Sequence, residues 1–118
     1  MAHTVGMDLR KGNQMKVRAQ FPRRMRVGKK LYSVEVVEAM LEKKSVGRVD
    51  YDTQCIQIAT RNPFTNKQMA GAELRDTFWH ELVHAILYDM GRDNLNRDEA
   101  FVTGFAARLS QAIDSAKF

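Results

Sequence analysis

Two histidines and a glutamate in the second half of the chain have the residue types and spacing of a metal site. His80 and His84 lie four residues apart, and Glu81 directly follows the first of them. On an α-helix, residues i and i+4 lie one above the other on one face, so both imidazole rings can reach one ion. Glu81 is rotated by about 100° from His80, which places its carboxylate beside the ion as a general base. The spacing therefore predicts a metal-dependent hydrolytic site.

The alternative interpretation is that polar residues happen to fall together on one helix. The segment around them, however, is apolar on most sides, with Phe78, Trp79, Leu82, Val83, Ile86 and Leu87. Burying three polar side chains without partners would be costly, and a metal ion supplies that partner. The third histidine, His3, lies in an N-terminal stretch without periodicity, so both histidines of the patterned region belong to the motif.

A catalytic zinc ion needs a third protein ligand and an open coordination position. The candidates are the carboxylates that follow the first helix, namely Asp89, Asp93, Asp98 and Glu99. A second helix that begins near Asp98 can return antiparallel to the first and bring its first turn beside the ion. Glu99 lies in that turn, and we expect it to be the ligand, with Asp98 as the alternative. An acid at this place is also favoured by the helix dipole alone. The predicted Zn²⁺ ligands are His80, His84 and Glu99.

Length and composition indicate one small domain that positions these residues. The chain has 118 residues, 44% hydrophobic and 28% charged, which is ordinary for a globular protein. Residues 1–14 show no periodicity and are predicted to be a disordered leader, which leaves residues 15–118 as a single domain. Cys55 is the one cysteine, and no apolar run is long enough to span a membrane. We therefore expect a cytoplasmic protein without a membrane association.

The first half of the chain has mostly strand patterns. From Met15 the pattern is strand-like, and a tight turn at Gly28–Lys29 leads into a further strand through Tyr32. The segment SVEVVEAMLEKKS, residues 33–45, has apolar residues at helical spacing and is predicted to be a short amphipathic helix, although its valines also suit a strand. Residues 46–60 have the pattern of a β-hairpin with its turn near Asp52 to Gln54.

The second half is predicted to be helical. One long helix fits residues 72–90, and Gly91 follows where a left-handed C-cap would lie. After a loop formed by RDNLNRD, a second helix fits DEAFVTGFAARLSQAI, residues 98–113. The whole pattern predicts an α+β domain in which a short antiparallel sheet packs on the motif helix and the helix after it.

These motifs resemble the gluzincin metallopeptidases, which combine HExxH with a glutamate on the next helix. More narrowly, LRDTFWHELVHAIL and DEAFVTGFAARL resemble the ImmA/IrrE-like metallopeptidases of phages and bacteria. The resemblance implies a zincin-like fold and hydrolysis of peptide bonds in a protein substrate. It also implies that His80, His84 and Glu99 bind zinc and that Glu81 is the general base.

In zincins generally, the substrate backbone pairs with an exposed strand above the metal. That likeness makes Cys55–Thr60 the expected edge strand, with an interior position as an equal alternative. A residue that stabilises an oxyanion is not assigned by the sequence, and Tyr32, Tyr51 and Tyr88 are the candidates.

Positive charge is concentrated in the N-terminal part of the chain. Nine basic residues and no acid lie between Asp8 and Glu35, namely Arg10, Lys11, Lys16, Arg18, Arg23, Arg24, Arg26, Lys29 and Lys30. Such a segment could contact the phosphates of nucleic acid, and a weaker likeness to SprT-like metallopeptidases points the same way. The simpler and favoured interpretation is the charged outer face of an edge strand. An alternative function is thus a catalytically silent or latent zincin-fold module that binds nucleic acid or a partner protein through this segment.

Overall fold

The computed structural model describes residues 21–39 and 45–118. This part of the chain forms strands β1 (Arg24–Val27), β2 (Lys30–Val37), β3 (Gly47–Asp50) and β4 (Cys55–Ala59), then helices α1 (Gly71–Asp89), α2 (Asp93–Arg97) and α3 (Glu99–Ser115). The α+β class is as predicted. The leader at residues 1–14 and the predicted domain start at residue 15 lie outside the described residues. Among the described helices, none is long and apolar enough to cross a membrane.

The sheet is mixed, and the prediction of an antiparallel sheet was wrong. Its strand order is β1-β2-β4-β3. The hairpins β1–β2 and β3–β4 are antiparallel, as the turn residues predicted. Strand β4 follows β3 in the chain, but in the sheet it lies between β3 and β2. This placement makes β4 parallel to β2, a relation that no local turn signal can reveal.

The predicted helix over residues 33–45 was also wrong where the structure describes it. Residues up to Val37 belong to β2, in which Tyr32 and Val34 face the core while Leu31 and Ser33 are exposed. The valines that suggested helical spacing also alternate, and pairing along the whole length of β4 favours the extended form. The end of the predicted helix, residues 40–44, lies outside the described residues.

Helix α1 packs one face on the sheet and another on α3. The core against the sheet includes Tyr32, Ile56, Ile58, Leu74 and Phe78, all at most 1% exposed. A second apolar cluster joins α1 to α3 and consists of Val83, Leu87, Val102 and Ala106. The motif helix is therefore fixed on two sides, which leaves its remaining face for polar side chains.

The connection from α1 to α3 is short and ordered. Gly91 has a φ of +70°, and the N–H groups of Gly91 and Arg92 donate to the carbonyl oxygens of Tyr88 and Leu87. This is a Schellman motif, for which a residue without a Cβ is suited. The segment predicted to be a loop contains the helical turn α2. The turn lets α3 begin beside α1, so that the chain returns towards the histidines.

Candidate metal centre

The structure brings His80, His84 and Glu99 together. Glu99 Oε1 lies 3.1 Å from His80 Nε2, and Glu99 Oε2 lies 3.2 Å from His84 Nε2. One candidate ligand atom from each residue falls within 4.8 Å of the other two. The three side chains come from one turn of α1 and the first residue of α3.

The donor set fits a metal ion. Two imidazole nitrogens and a carboxylate are ligands of catalytic zinc, and bonds of about 2.0–2.1 Å in a tetrahedral site hold ligand atoms roughly 3.4 Å apart. The separations of 3.1 and 3.2 Å, each to a different oxygen of Glu99, are close to that spacing. The cluster could therefore hold a metal ion, as the HExxH spacing predicted, and the identity of the ion is not fixed by this geometry.

Asp98, the alternative ligand, has a different contact. Its Oδ1 accepts a hydrogen bond of 3.0 Å from the backbone N–H of Phe101, so Asp98 is the N-cap of α3. Such a cap satisfies one of the N–H groups that a helix start leaves unpaired. The cap at Asp98 fixes where α3 begins and so directs Glu99, the next residue, towards the histidines.

A hydrogen-bonded chain behind His84 was not predicted from the sequence. His84 Nδ1 lies 2.6 Å from Asn96 Oδ1, and Asn96 Nδ2 donates to the Tyr51 hydroxyl at 3.1 Å. Because an amide oxygen carries no proton, Nδ1 of His84 is the donor. This bond turns Nε2 of His84 towards Glu99 and leaves it as the nitrogen that can bind a metal. Asn96 lies in the segment assigned to a loop, where its partner could not be recognised.

The environment keeps His80 neutral. Burial lowers its pKa below the usual 6.5, and nearby His84 lowers it further. Glu99 acts in the opposite direction by favouring the charged imidazolium, but the two lowering effects are the larger. A neutral imidazole is the form that binds metal, so the electrostatics of His80 suit the proposed ligand role.

Glu81, the predicted base, is buried beside the cluster. Desolvation is the main reason that its pKa rises from 4.5 to about 7, with Glu99 also raising it and His84 opposing. A carboxylate with a pKa close to neutral can both take up and release a proton. Burial, which is unusual for a glutamate, is thus what adjusts this side chain for proton transfer.

Gly47 makes room for Glu81. A Cβ at this position would lie 2.6 Å from Thr77 Cγ2 and 3.1 Å from Glu81 Oε2. The start of β3 therefore lies directly against the motif helix, and the absence of a side chain permits that approach. β3 is an edge strand of the described sheet, whereas β4, the expected edge, is interior with Ile56 and Ile58 fully buried.

The three candidate tyrosines occupy different places. Tyr32 is fully buried in the core. Tyr51 bonds to Asn96, and its ring stacks on that of Tyr88 with centroids 4.0 Å apart. Burial raises the pKa of Tyr51 above its usual 10, so its hydroxyl stays protonated. Of the three, Tyr51 is connected to the metal cluster.

The described part of the basic segment forms a solvated face. Arg24 and Arg26 are exposed on β1, while Met25 and Val27 point inward. β1 is the other edge of the described sheet, where charges discourage pairing with other chains. Nucleic-acid contact through this segment stays a prediction. The basic residues at positions 10–18 lie outside the described residues.

Comparison of the chain with protein-family models, curated proteins and solved structures gives no significant match.

Proposed function

We propose that this chain is a zinc-dependent metallopeptidase that hydrolyses peptide bonds in a protein substrate. The observation that supports the proposal is the meeting of His80, His84 and Glu99 around one point, with the buried carboxylate of Glu81 next to it. A zincin-like character of the domain is part of the same proposal. It is supported by an HExxH helix packed on a sheet, with the third candidate ligand at the start of α3.

Each residue has a distinct part in the proposed reaction. His80, His84 and Glu99 would hold the ion, whose contribution when bound is Lewis acidity towards water and a carbonyl group. Glu81 accepts a proton from the attacking water at its carboxylate and delivers it to the amine that leaves. Asn96 keeps the tautomer of His84 correct. Burial raises the pKa of the Glu81 carboxyl, which favours its acceptance of the proton.

The edge strand β3 is the proposed support for the substrate backbone. Gly47 brings this strand against Glu81, and an edge strand offers N–H and C=O groups to an extended peptide. In the described structure the Ser45 hydroxyl donates to the carbonyl oxygen of Gly47 at 2.6 Å. It also accepts from the N–H of Gly47 at 3.3 Å. A peptide that pairs with this part of β3 would replace those contacts.

The test compares wild type with Glu81→Gln, both prepared without a histidine tag. We expect about one zinc ion per chain in each, and cleavage of an unbiased peptide library that falls at least about 100-fold in the variant. Glu73→Gln is the matched control, because Glu73 lies on α1 away from the cluster. Its carboxylate accepts a hydrogen bond from the N–H of Ala70. The activity of this control should be unchanged.

Two results would contradict the proposal. Hydrolysis that persists in Glu81→Gln would show that another group is the base. Zinc binding without cleavage of any peptide would favour the binding-module function instead.

A further inference from the structure

A cavity opens beside the metal cluster, between α1, α3 and the start of β3. Its volume is about 390 Å³, near the lower end of the range of about 300–1,000 Å³ that small-ligand sites occupy. His80 and Glu81 form part of its wall. A group bound in the cavity would therefore lie next to the residues proposed to carry out hydrolysis.

Apart from Val46 and Asp76, the rest of the wall is made of small and hydroxyl-bearing residues. Gly47, Ala106 and Ala107 keep the space open, and Ser45, Thr77 and Thr103 supply hydroxyl groups. Apolar methyl groups next to hydroxyls suit a side chain that has an aliphatic stem and a polar end. The wall would be a poor match for a large aromatic group that requires a wholly apolar enclosure.

Asp76 supplies a negative charge that is not part of the metal cluster. It lies one turn before His80 on α1 and belongs to the cavity wall. Its Oδ1 accepts a hydrogen bond of 3.0 Å from Ser110 Oγ on α3, which orients the carboxylate. Among the described residues, the ion pairs do not include Asp76, and the neighbouring Arg75 pairs with Asp114 at 3.4 Å.

The cavity wall contains two carboxylates, those of Asp76 and Glu81, and no lysine or arginine among the described residues. We propose, building on the peptidase function above, that the cavity receives a lysine or arginine side chain of the substrate next to the cleaved bond. The aliphatic stem packs on Ala106 and Ala107, and the cationic end approaches Asp76. Asp76 is then the residue that determines specificity.

The expected preference is modest because Asp76 is exposed. Ion pairs in contact with solvent contribute about 0.2–1 kcal/mol, which corresponds to roughly a 1.5- to fivefold difference in affinity. Since salt screens such pairs, the preference should also decrease as ionic strength rises.

The test is a titration of the metal-free chain, followed by amide NMR, with two blocked peptides that differ only in having lysine or norleucine at one position. We expect about 1.5- to fivefold tighter binding of the lysine peptide, with shifts at Gly47, Thr77 and Thr103. Asp76→Asn should remove the preference while the spectrum reports an intact fold. Asp93→Asn, an exposed acid outside the cavity wall, should retain it.

Equal affinities for the two peptides in wild type would overturn this proposal, as would shifts confined to other surfaces or the absence of binding. Neither metal nor hydrolysis enters the measurement, so such a failure leaves the peptidase proposal standing. A chain that prefers lysine but never cleaves a peptide would contradict the peptidase function and support the cavity assignment.

Discussion

The two histidines lie one turn apart on the same helix, but their surroundings differ. The His84 side chain is 11% exposed, and its second nitrogen is held by Asn96 and, through it, by Tyr51. The His80 side chain is 25% exposed and borders the cavity. The pair thus divides the centre into an anchored side and an open side. If the proposed function holds, we expect substrate to enter on the open side and the anchored side to fix the position of the ion.

Replacing either histidine gives the largest expected effect. Both His80→Ala and His84→Ala should lose the bound metal, because two protein ligands do not close such a site. His84→Ala should also lower the free energy of unfolding of the metal-free chain by about 1–3 kcal/mol, because a partly buried amide loses its donor. For His80→Ala we expect less than about 1 kcal/mol.

Metal analysis and urea denaturation of the metal-free variants measure these effects. Equal destabilisation by the two substitutions would remove the distinction between an anchored and an open side. Full metal retention in either variant would contradict the cluster as the binding site.

Ionisation of Glu81, on the open side, lowers the free energy of unfolding of the metal-free chain. Its pKa is raised from 4.5 to about 7, so the folded state binds the proton more tightly than the unfolded state. The stabilisation that this proton gives the folded state is complete below pH 4.5 and is lost as the pH rises through 7. Glu81→Gln lacks this loss, and at pH 8 the metal-free variant should exceed wild type by up to about 3 kcal/mol.

Urea denaturation at a series of pH values measures that difference, which should shrink towards zero near pH 4. Glu73→Gln should follow wild type at every pH. A stability gain in Glu81→Gln that is the same at pH 4 and pH 8 would show that ionisation of Glu81 is not its cause.

The open side was more predictable from sequence than the anchored side. The HExxH spacing alone placed His80 and Glu81 on one helix. The second helical pattern predicted an antiparallel helix whose first turn brings Glu99 beside them. Asn96 was missed because its contact with His84 depends on the α2 turn and on Tyr51, which lies 45 residues earlier in the chain. Long-range pairing also explains why the second part of β2, residues 33–37, was mistaken for a helix, since only its contact with β4 decides between two local patterns.

Asn96→Ala tests the anchor with a smaller expected effect. Removing a group that orients a metal ligand lowers metal affinity by about 10- to 100-fold. Asn94→Ala is the matched control, because Asn94 lies on the same helical turn and its Oδ1 accepts a bond from Arg97. Competition with a zinc chelator measures both affinities. An unchanged affinity in Asn96→Ala would mean that His84 is held by its own packing.

Tyr51→Phe should have the smallest effect, because it removes the partner of Asn96 and leaves the bond between Asn96 and His84. The net value of one such hydrogen bond is about 0.5–1.5 kcal/mol, which corresponds to roughly a two- to tenfold loss in metal affinity. Tyr88→Phe, in which the stacked ring is retained, should have no effect.

The Tyr51 hydroxyl accepts from Asn96, so its own proton could still be donated to a substrate oxygen. If Tyr51→Phe kept its metal affinity but lowered kcat by more than about 100-fold, Tyr51 would act on the substrate. The anchored side would then contribute to catalysis directly, beyond holding the ligand.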